Sequence, residues 1–246
     1  MNYKAVTHVG LVRKNNEDSF FASENPDFPL FIIADGIGGE NFGELASSIT
    51  VDVIKRKVKN LKDYSSINDI EKDFIDAISE ANKEVLKRSL EDENYSGMGS
   101  TVTVAYVYND SILFANAGDS RAYAINNKEI IQLTEDDSVV NDLYKMGEIT
   151  KEETKNHPRR NIITNAVGTE ENIDISLVQY NYGSQEYILL CTDGLSDLVS
   201  DERIFEIVNE NPLDEISILL LDEALKNGGN DNISFIIFEV GDYNDR

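Results

Sequence analysis

Four aspartates stand at the lips of short apolar runs. Phe31-Ile32-Ile33-Ala34 leads into Asp35-Gly36, and Ile188-Leu189-Leu190-Cys191-Thr192 leads into Asp193-Gly194. Ile112-Leu113-Phe114-Ala115 leads through Asn116-Ala117-Gly118 into Asp119, and Asp231-Asn232 opens Ile233-Ser234-Phe235-Ile236-Ile237-Phe238. A strand fixes direction, so a carboxylate at its end is aimed. In an antiparallel pair the start of one strand lies beside the end of its neighbour, so four lips can meet at one end of a sheet. Carboxylates brought together repel unless a cation lies between them. All-oxygen donors suit hard divalent cations such as magnesium and manganese. The chemistry these residues point to is a metal centre of clustered aspartates. Any single Asp-Gly is also an ordinary turn, so the argument rests on recurrence and surroundings.

Two more segments add to the set. In Gly10-Leu11-Val12-Arg13-Lys14-Asn15-Asn16-Glu17-Asp18, a cation stands four and five residues before a carboxylate pair. Arg13 can fork onto phosphate oxygens, and Glu17 and Asp18 can hold metal-bound waters. The bland alternative is an exposed Arg–Glu ion pair. Asp35-Gly36-Ile37-Gly38-Gly39 is a glycine-rich turn in which backbone carbonyls can approach a ligand. It lacks the GxxxxGK[ST] form of a nucleotide loop, so a carbonyl ligand beside Asp35 is the more natural use.

The positioning elements follow from periodicity. Strands are predicted at 5–12, 30–34, 101–108, 111–117, 121–125, 130–133, 173–182, 186–192 and 233–240. A helix over 44–62 puts Ala46, Ile49, Val53, Ile54, Val58 and Leu61 on one face. Ser66 caps a second helix carrying Ile70, Phe74, Ala77, Ile78, Ala81 and Val85. Two more helices fit at 201–210 and 212–226, with Pro212 in a first turn and Gly228-Gly229 as a stop. Residues 134–172 are polar, with helical pieces. Strand runs segregated from helix runs predict an α+β fold, two antiparallel sheets with helices outside.

Composition narrows the function classes. The 246 residues are 41% hydrophobic, enough for a substantial core. The net charge of -24, from 22 basic and 46 acidic residues, disfavours nucleic acid and anionic membranes as partners. Most of that acid is spread along the chain as solvated surface. The single cysteine, Cys191, lies in an apolar strand and reads as a small buried hydrophobe. No apolar run approaches the roughly 18 residues of a membrane span. The expectation is a soluble cytoplasmic protein.

Six segments in order over nearly the whole chain resemble the metal-dependent serine/threonine phosphatases of the protein phosphatase 2C family, in the bacterial form. They are Gly10–Asp18, Asp35–Gly39 with Gly43-Glu44-Leu45-Ala46-Ser47, Gly97-Met98-Gly99-Ser100-Thr101, Ala117-Gly118-Asp119-Ser120-Arg121, Cys191–Asp197, and Gly228-Gly229-Asn230-Asp231-Asn232-Ile233. The resemblance implies a four-layer α-β-β-α sandwich over residues 1–246 as one catalytic domain, with 134–172 as a flap. It implies manganese or magnesium as cofactor, two core ions with a third and looser one. Asp35 would bridge the core pair, the Gly36 carbonyl would complete one site, and Asp193 and Asp231 would hold the other. Glu17 and Asp18 would act mainly through waters, Asp119 with Asp193 would support the third ion, and Arg13 would bind substrate phosphate. The implied reaction is hydrolysis of phosphoserine or phosphothreonine by a water bridging the two metals, without a phosphoenzyme. Implied partners are phosphorylated proteins and a cognate serine/threonine kinase.

Two departures leave the proton donor open. Bacterial members commonly have His after the glycine turn and Asp-His-Ser at the start of the flap. This chain has Glu40 and Asp136-Asp137-Ser138. A carboxyl donates a proton only if its pKa is raised, and metal-bound water is the alternative donor. His8 reads as structural or exposed, and His157, before Pro158, as a loop-packing residue. Two other readings remain: a catalytically weak relative that binds phosphoproteins, and a metal-dependent nucleotide-processing enzyme. The absence of a nucleotide loop in the sequence disfavours the second.

Overall fold

Alternation of side chains along the strands builds three apolar layers. In the computed structural model, which describes residues 1–38 and 42–241, twelve strands are defined among the described residues. They are β1 (Tyr3–His8), β2 (Ser19–Ala22), β3 (Leu30–Ala34), β4 (Gly36–Ile37), β5 (Gly99–Ser100), β6 (Val102–Tyr108), β7 (Ser111–Ala117), β8 (Arg121–Ile125), β9 (Ile130–Gln132), β10 (Ser176–Asn181), β11 (Glu186–Cys191) and β12 (Ile233–Val240). One five-stranded antiparallel sheet has the order β1-β12-β11-β8-β9, and a second has β10-β7-β6-β3-β2. Successive residues of a strand face opposite ways. In β3, Phe31 and Ile33 enter the layer between the sheets, while Leu30, Ile32 and Ala34 face helices. In β12, Ile236 and Phe238 face the first layer, and Ile233, Phe235 and Ile237 face the helices on the other side. Phe31 and Phe238 stack across the sheets with centroids 4.1 Å apart.

Helices α1 (Phe42–Lys57) and α2 (Ile67–Glu91) cover one sheet. The segment between the edge strands β9 and β10 carries α3 (Val139–Lys145) and α4 (Lys151–Thr154). Helices α5 (Asp193–Ser196), α6 (Asp201–Glu210) and α7 (Leu213–Lys226) cover the other sheet. The four-layer α-β-β-α order expected from the sequence is the one observed.

Boundaries differ in places. The first strand lies at Tyr3–His8, not 5–12, because Gly10 turns with φ +80° and leaves Leu11 and Val12 exposed. Helix α1 ends at Lys57 rather than 62; Leu61 opens a separate turn of 3₁₀ helix, Leu61–Asp63. Pro212 sits at the N-cap of α7, one residue outside the helix. Asp193 begins a helical turn, where the sequence reads as a simple strand end.

Candidate metal centre

Register brings the aspartate lips together. His8, the last residue of β1, pairs with Ile233, the first of β12, so the loop after His8 lies beside Asp231. Cys191 pairs with Phe235, which sets Asp193 near the same strand start. In the other sheet Ser19 pairs with Ala34, so Asp18 meets Asp35, and Val102 pairs with Ala117, which brings Asp119 to that end. Asp35 feels the charges of Asp18, Asp193, Asp119 and Asp231. All five carboxylates therefore share one end of the sandwich.

Close backbone approach makes this possible. A Cβ on Gly36 would lie 2.2 Å from the Gly43 carbonyl oxygen and 2.5 Å from that of Glu17. A Cβ on Gly194 would lie 1.9 Å from the Asn232 carbonyl oxygen. Only glycine lets these segments pass one another at such distances.

Fixed polar side chains hold the lips. The Asp35 amide donates to Thr101 Oγ1 at 2.9 Å, and Thr101 Oγ1 meets Ser120 Oγ at 2.7 Å. Thr192 Oγ1 donates to Asp18 Oδ2 at 3.1 Å. Ser47 Oγ donates to the Glu17 carbonyl at 2.6 Å. Asn232 Nδ2 donates to the Val9 and Asn15 carbonyls at 3.0 and 2.9 Å, while its Oδ1 accepts from the Glu17 amide at 2.8 Å. The sequence reading missed Thr101, Thr192 and Asn232 as positioning groups. Their only sequence signal is a polar residue at a strand end.

Electrostatics define what the cluster lacks. Burial, followed by the charge of Asp18, pushes Asp35 well above the carboxylate range. Burial pushes Asp18 up to about 7, with Asp193 adding to it against hydrogen bonds from Ser234 and Thr192. Burial and the charge of Asp197 push Asp193 up to about 6. Asp119 is raised by burial and then by Asp193. Asp18 Oδ1 and Asp193 Oδ1 are buried without any hydrogen-bond partner. Among the described residues no three acidic, histidine or cysteine side chains are drawn to one point as a finished coordination set. The donor set nevertheless fits a hard cation. It is all oxygen, its members repel one another, and two buried oxygens have no donor.

Arg13 Nη2 donates to Asp231 Oδ2 at 2.6 Å, so the guanidinium reaches the carboxylate cluster itself, while the charge of Glu17 also acts on it. The Arg13 side chain remains 51% exposed, which leaves the guanidinium accessible from solvent. Arg121 does not pair with Asp119. It grips Asp136 through Nε and Nη2 at 2.9 and 2.6 Å. Cys191 is buried, and burial pushes its thiol up to about 12, which removes it as a nucleophile. His8 Nδ1 accepts from the Gly10 amide at 2.9 Å and His157 Nδ1 from the Arg159 amide at 3.2 Å, both as turn fasteners. Glu40 lies outside the described residues.

Comparison with known proteins follows the same line. Residues 12–217 match the family model described as protein phosphatase 2C. The serine/threonine phosphatase stp of Listeria monocytogenes serotype 4b is 35% identical over 235 residues, 95% of this chain and 93% of that protein. The serine/threonine protein phosphatase PstP of Mycobacterium tuberculosis is 33% identical over 99% of this chain and 46% of its own length. The crystal structure of Stp1 from Staphylococcus aureus superposes with a TM-score of 0.89 at 34% identity, covering 98% of this chain and 95% of that one. The catalytic domain of PstP in complex with two manganese ions superposes with a TM-score of 0.85 at 32% identity, covering 98% of each chain.

Proposed function

This chain belongs to the protein phosphatase 2C family, and from that premise we propose how its residues divide the work of a metal-dependent serine/threonine phosphoprotein phosphatase. The observation that carries the reading is the convergence of Asp18, Asp35, Asp119, Asp193 and Asp231 at one end of the sandwich, with two buried carboxylate oxygens left unpartnered. Asp35, the Gly36 carbonyl, Asp193 and Asp231 hold two divalent cations, manganese or magnesium. Glu17 and Asp18 act through waters. Asp119 with Asp193 would hold a third, looser ion. When bound, the core pair supplies a bridging water of lowered pKa as nucleophile and neutralises charge on the phosphoryl oxygens.

The chain's own groups do the rest. Arg13 has five N–H donors in a planar fork, of which one on Nη2 goes to Asp231 Oδ2. The remaining donors bind substrate phosphate. The Asn232 clamp on Val9, Asn15 and Glu17 keeps that fork at the rim of the cluster. Residues 1–246 act as one catalytic domain, with 134–172 as a flap beside the site. The substrates are phosphorylated proteins, and the activity opposes a cognate serine/threonine kinase in the cytoplasm. Among the described residues no helix is long and apolar enough to cross a membrane.

The test is hydrolysis of a phosphothreonine peptide and an aryl phosphate with manganese, magnesium or a chelator. Asp35→Ala and Asp231→Ala should each lose more than about 100-fold in kcat while staying folded, as expected when preorganised electrostatic stabilisation is removed. Full turnover in chelator, or in either variant, overturns the assignment.

A further inference from the structure

One carboxylate ties both ends of the 134–172 segment to the loop of Asp119. Asp137 Oδ2 accepts from the Gly118 amide at 3.0 Å and from Asn165 Nδ2 at 2.7 Å. The backbone doubles the first link, because the Asp137 amide donates to the Gly118 carbonyl at 3.0 Å. Gly118 therefore has both its N–H and its C=O held by residue 137. Gly118 also immediately precedes Asp119. At the other end, the Thr164 amide donates to the Asp137 carbonyl at 2.8 Å. Asn165 Nδ2 also donates to the Asp174 carbonyl at 2.8 Å, and its Oδ1 accepts from the Asp174 amide at 3.3 Å. Between these ends Ser138 bridges to Ile163 and caps α3.

The adjacent acid does something different. Asp136 is gripped by Arg121 and accepts from Gln132 Nε2 at 2.8 Å, so it is fastened to the sheet through β8 and β9. The neck of the segment also closes on itself without the Asp137 carboxylate, through Val139 N to Ile162 O at 2.9 Å and through the Thr164 bond. What the carboxylate adds is a second link from that neck to the peptide carrying Asp119, beside the backbone bond to the Gly118 carbonyl, and one that also takes in Asn165 at the far end of the segment. A carboxylate accepting two N–H bonds makes charge-assisted bonds, and its loss leaves both donors without that acceptor.

We infer that Asp137 is a positioning residue for the reaction, aligning the flap that receives the phosphoprotein with the Asp119 side of the carboxylate cluster. The inference rests on the phosphatase reading above for its kinetic arm only. On that reading a phosphopeptide would lie against the flap, whereas a small aryl phosphate would reach the cluster without it. Misalignment of the flap therefore separates the two substrates.

In Asp137→Ala, KM for a phosphothreonine peptide should rise about tenfold while KM for an aryl phosphate stays near wild type, in the range typical of lost supporting hydrogen bonds. Asp137→Asn should restore the peptide KM, because an amide oxygen at the same place can accept both N–H bonds. Asn165→Ala, which removes one of the two, should show the same split in smaller measure, and it carries the test if Asp137→Ala fails to fold. Hydrogen exchange on chelator-treated protein should show the Gly118 amide and residues 138–163 exchanging faster in Asp137→Ala than in wild type. Unchanged exchange, or an unchanged peptide KM in both Asp137→Ala and Asn165→Ala, overturns the role. Asp137→Asn as impaired as Asp137→Ala also overturns it. If wild type hydrolyses neither substrate, the phosphatase reading has failed, and the exchange comparison alone still decides whether Asp137 fastens the flap.

Discussion

Arg13 sits on an exposed loop without strand or helix, yet phosphate recognition requires a fixed guanidinium. Asn232 supplies the fixation. It is 5% exposed and spends both donors and its acceptor on three backbone groups of residues 9–17. Asn232→Asp is nearly isosteric but sets a carboxylate against two carbonyl oxygens. Unpaired buried polar groups of this kind cost about 1–3 kcal/mol each. The loop should loosen, raising KM for phosphopeptide by about tenfold or more with a smaller fall in kcat. Steady-state kinetics with a circular dichroism check measures this, and a wild-type KM in Asn232→Asp would mean that the loop is held by other bonds. The aspartates themselves were legible in the sequence because each follows or precedes an apolar run. Asn232, Thr101 and Thr192 were not, because a polar side chain at a strand end gives no sign of which distant backbone it meets. The partners of Asn232 include residues more than two hundred positions away in the chain, and only the β1–β12 register brings them together.

At the scale of elements, the meeting of α5 with the start of β12 decides whether Asp193 and Asp231 can share a site. Gly194 is the contact point, and the obstacle to a side chain there is the Asn232 backbone rather than a flexible tip. Gly194→Ala forces the two segments apart, at an overpacking cost of about 1–3 kcal/mol. Urea denaturation should show a lower midpoint with an unchanged slope, and calorimetry should show weakened manganese binding. A variant that keeps wild-type stability and metal affinity would show that α5 and β12 need not approach so closely. The sequence made α5 hard to see, because Thr192-Asp193-Gly194 has the form of a strand running into a turn, and a four-residue helix has no periodicity to read. Strand β2 was missed for a related reason. It has four residues at a sheet edge, with Phe20 exposed, and edge strands carry no buried alternation. The central strands β3, β7, β11 and β12 were legible because both of their faces are covered, giving continuous apolar runs. Helix α2 was legible because its buried face repeats at helical spacing from Ile70 to Val85.

For the whole molecule, the carboxylate cluster couples folding to protons and to cations with opposite signs. Burial and mutual repulsion raise Asp18 to about 7 and Asp193 to about 6, and raise Asp35 and Asp119 as well. In an unfolded chain these groups return to about 3.9. Between those values the folded chain holds more protons than the unfolded one, so stability falls as pH rises through the window. The contribution is full below the unfolded pKa and is lost as pH climbs through about 6 to 7. The net charge of -24 adds repulsion of the same sign. A divalent cation at the cluster favours the ionised forms, so its stabilisation grows as pH rises and fades in acid. Chelator-treated protein should therefore melt several degrees lower at about pH 7.5 than at about pH 5, a shift that corresponds to about 1–2 kcal/mol for a chain of this size. Manganese should restore the loss at the higher pH and add little at the lower one. Asp35→Asn should flatten the pH dependence of the chelated protein, because it removes one titrating member while leaving the distributed surface charge unchanged. Melting followed by calorimetry across that range is the measurement. Equal melting temperatures for chelated wild type at both pH values, or a manganese effect as large at about pH 5 as at about pH 7.5, would mean that the aspartates do not form one coupled, cation-demanding cluster.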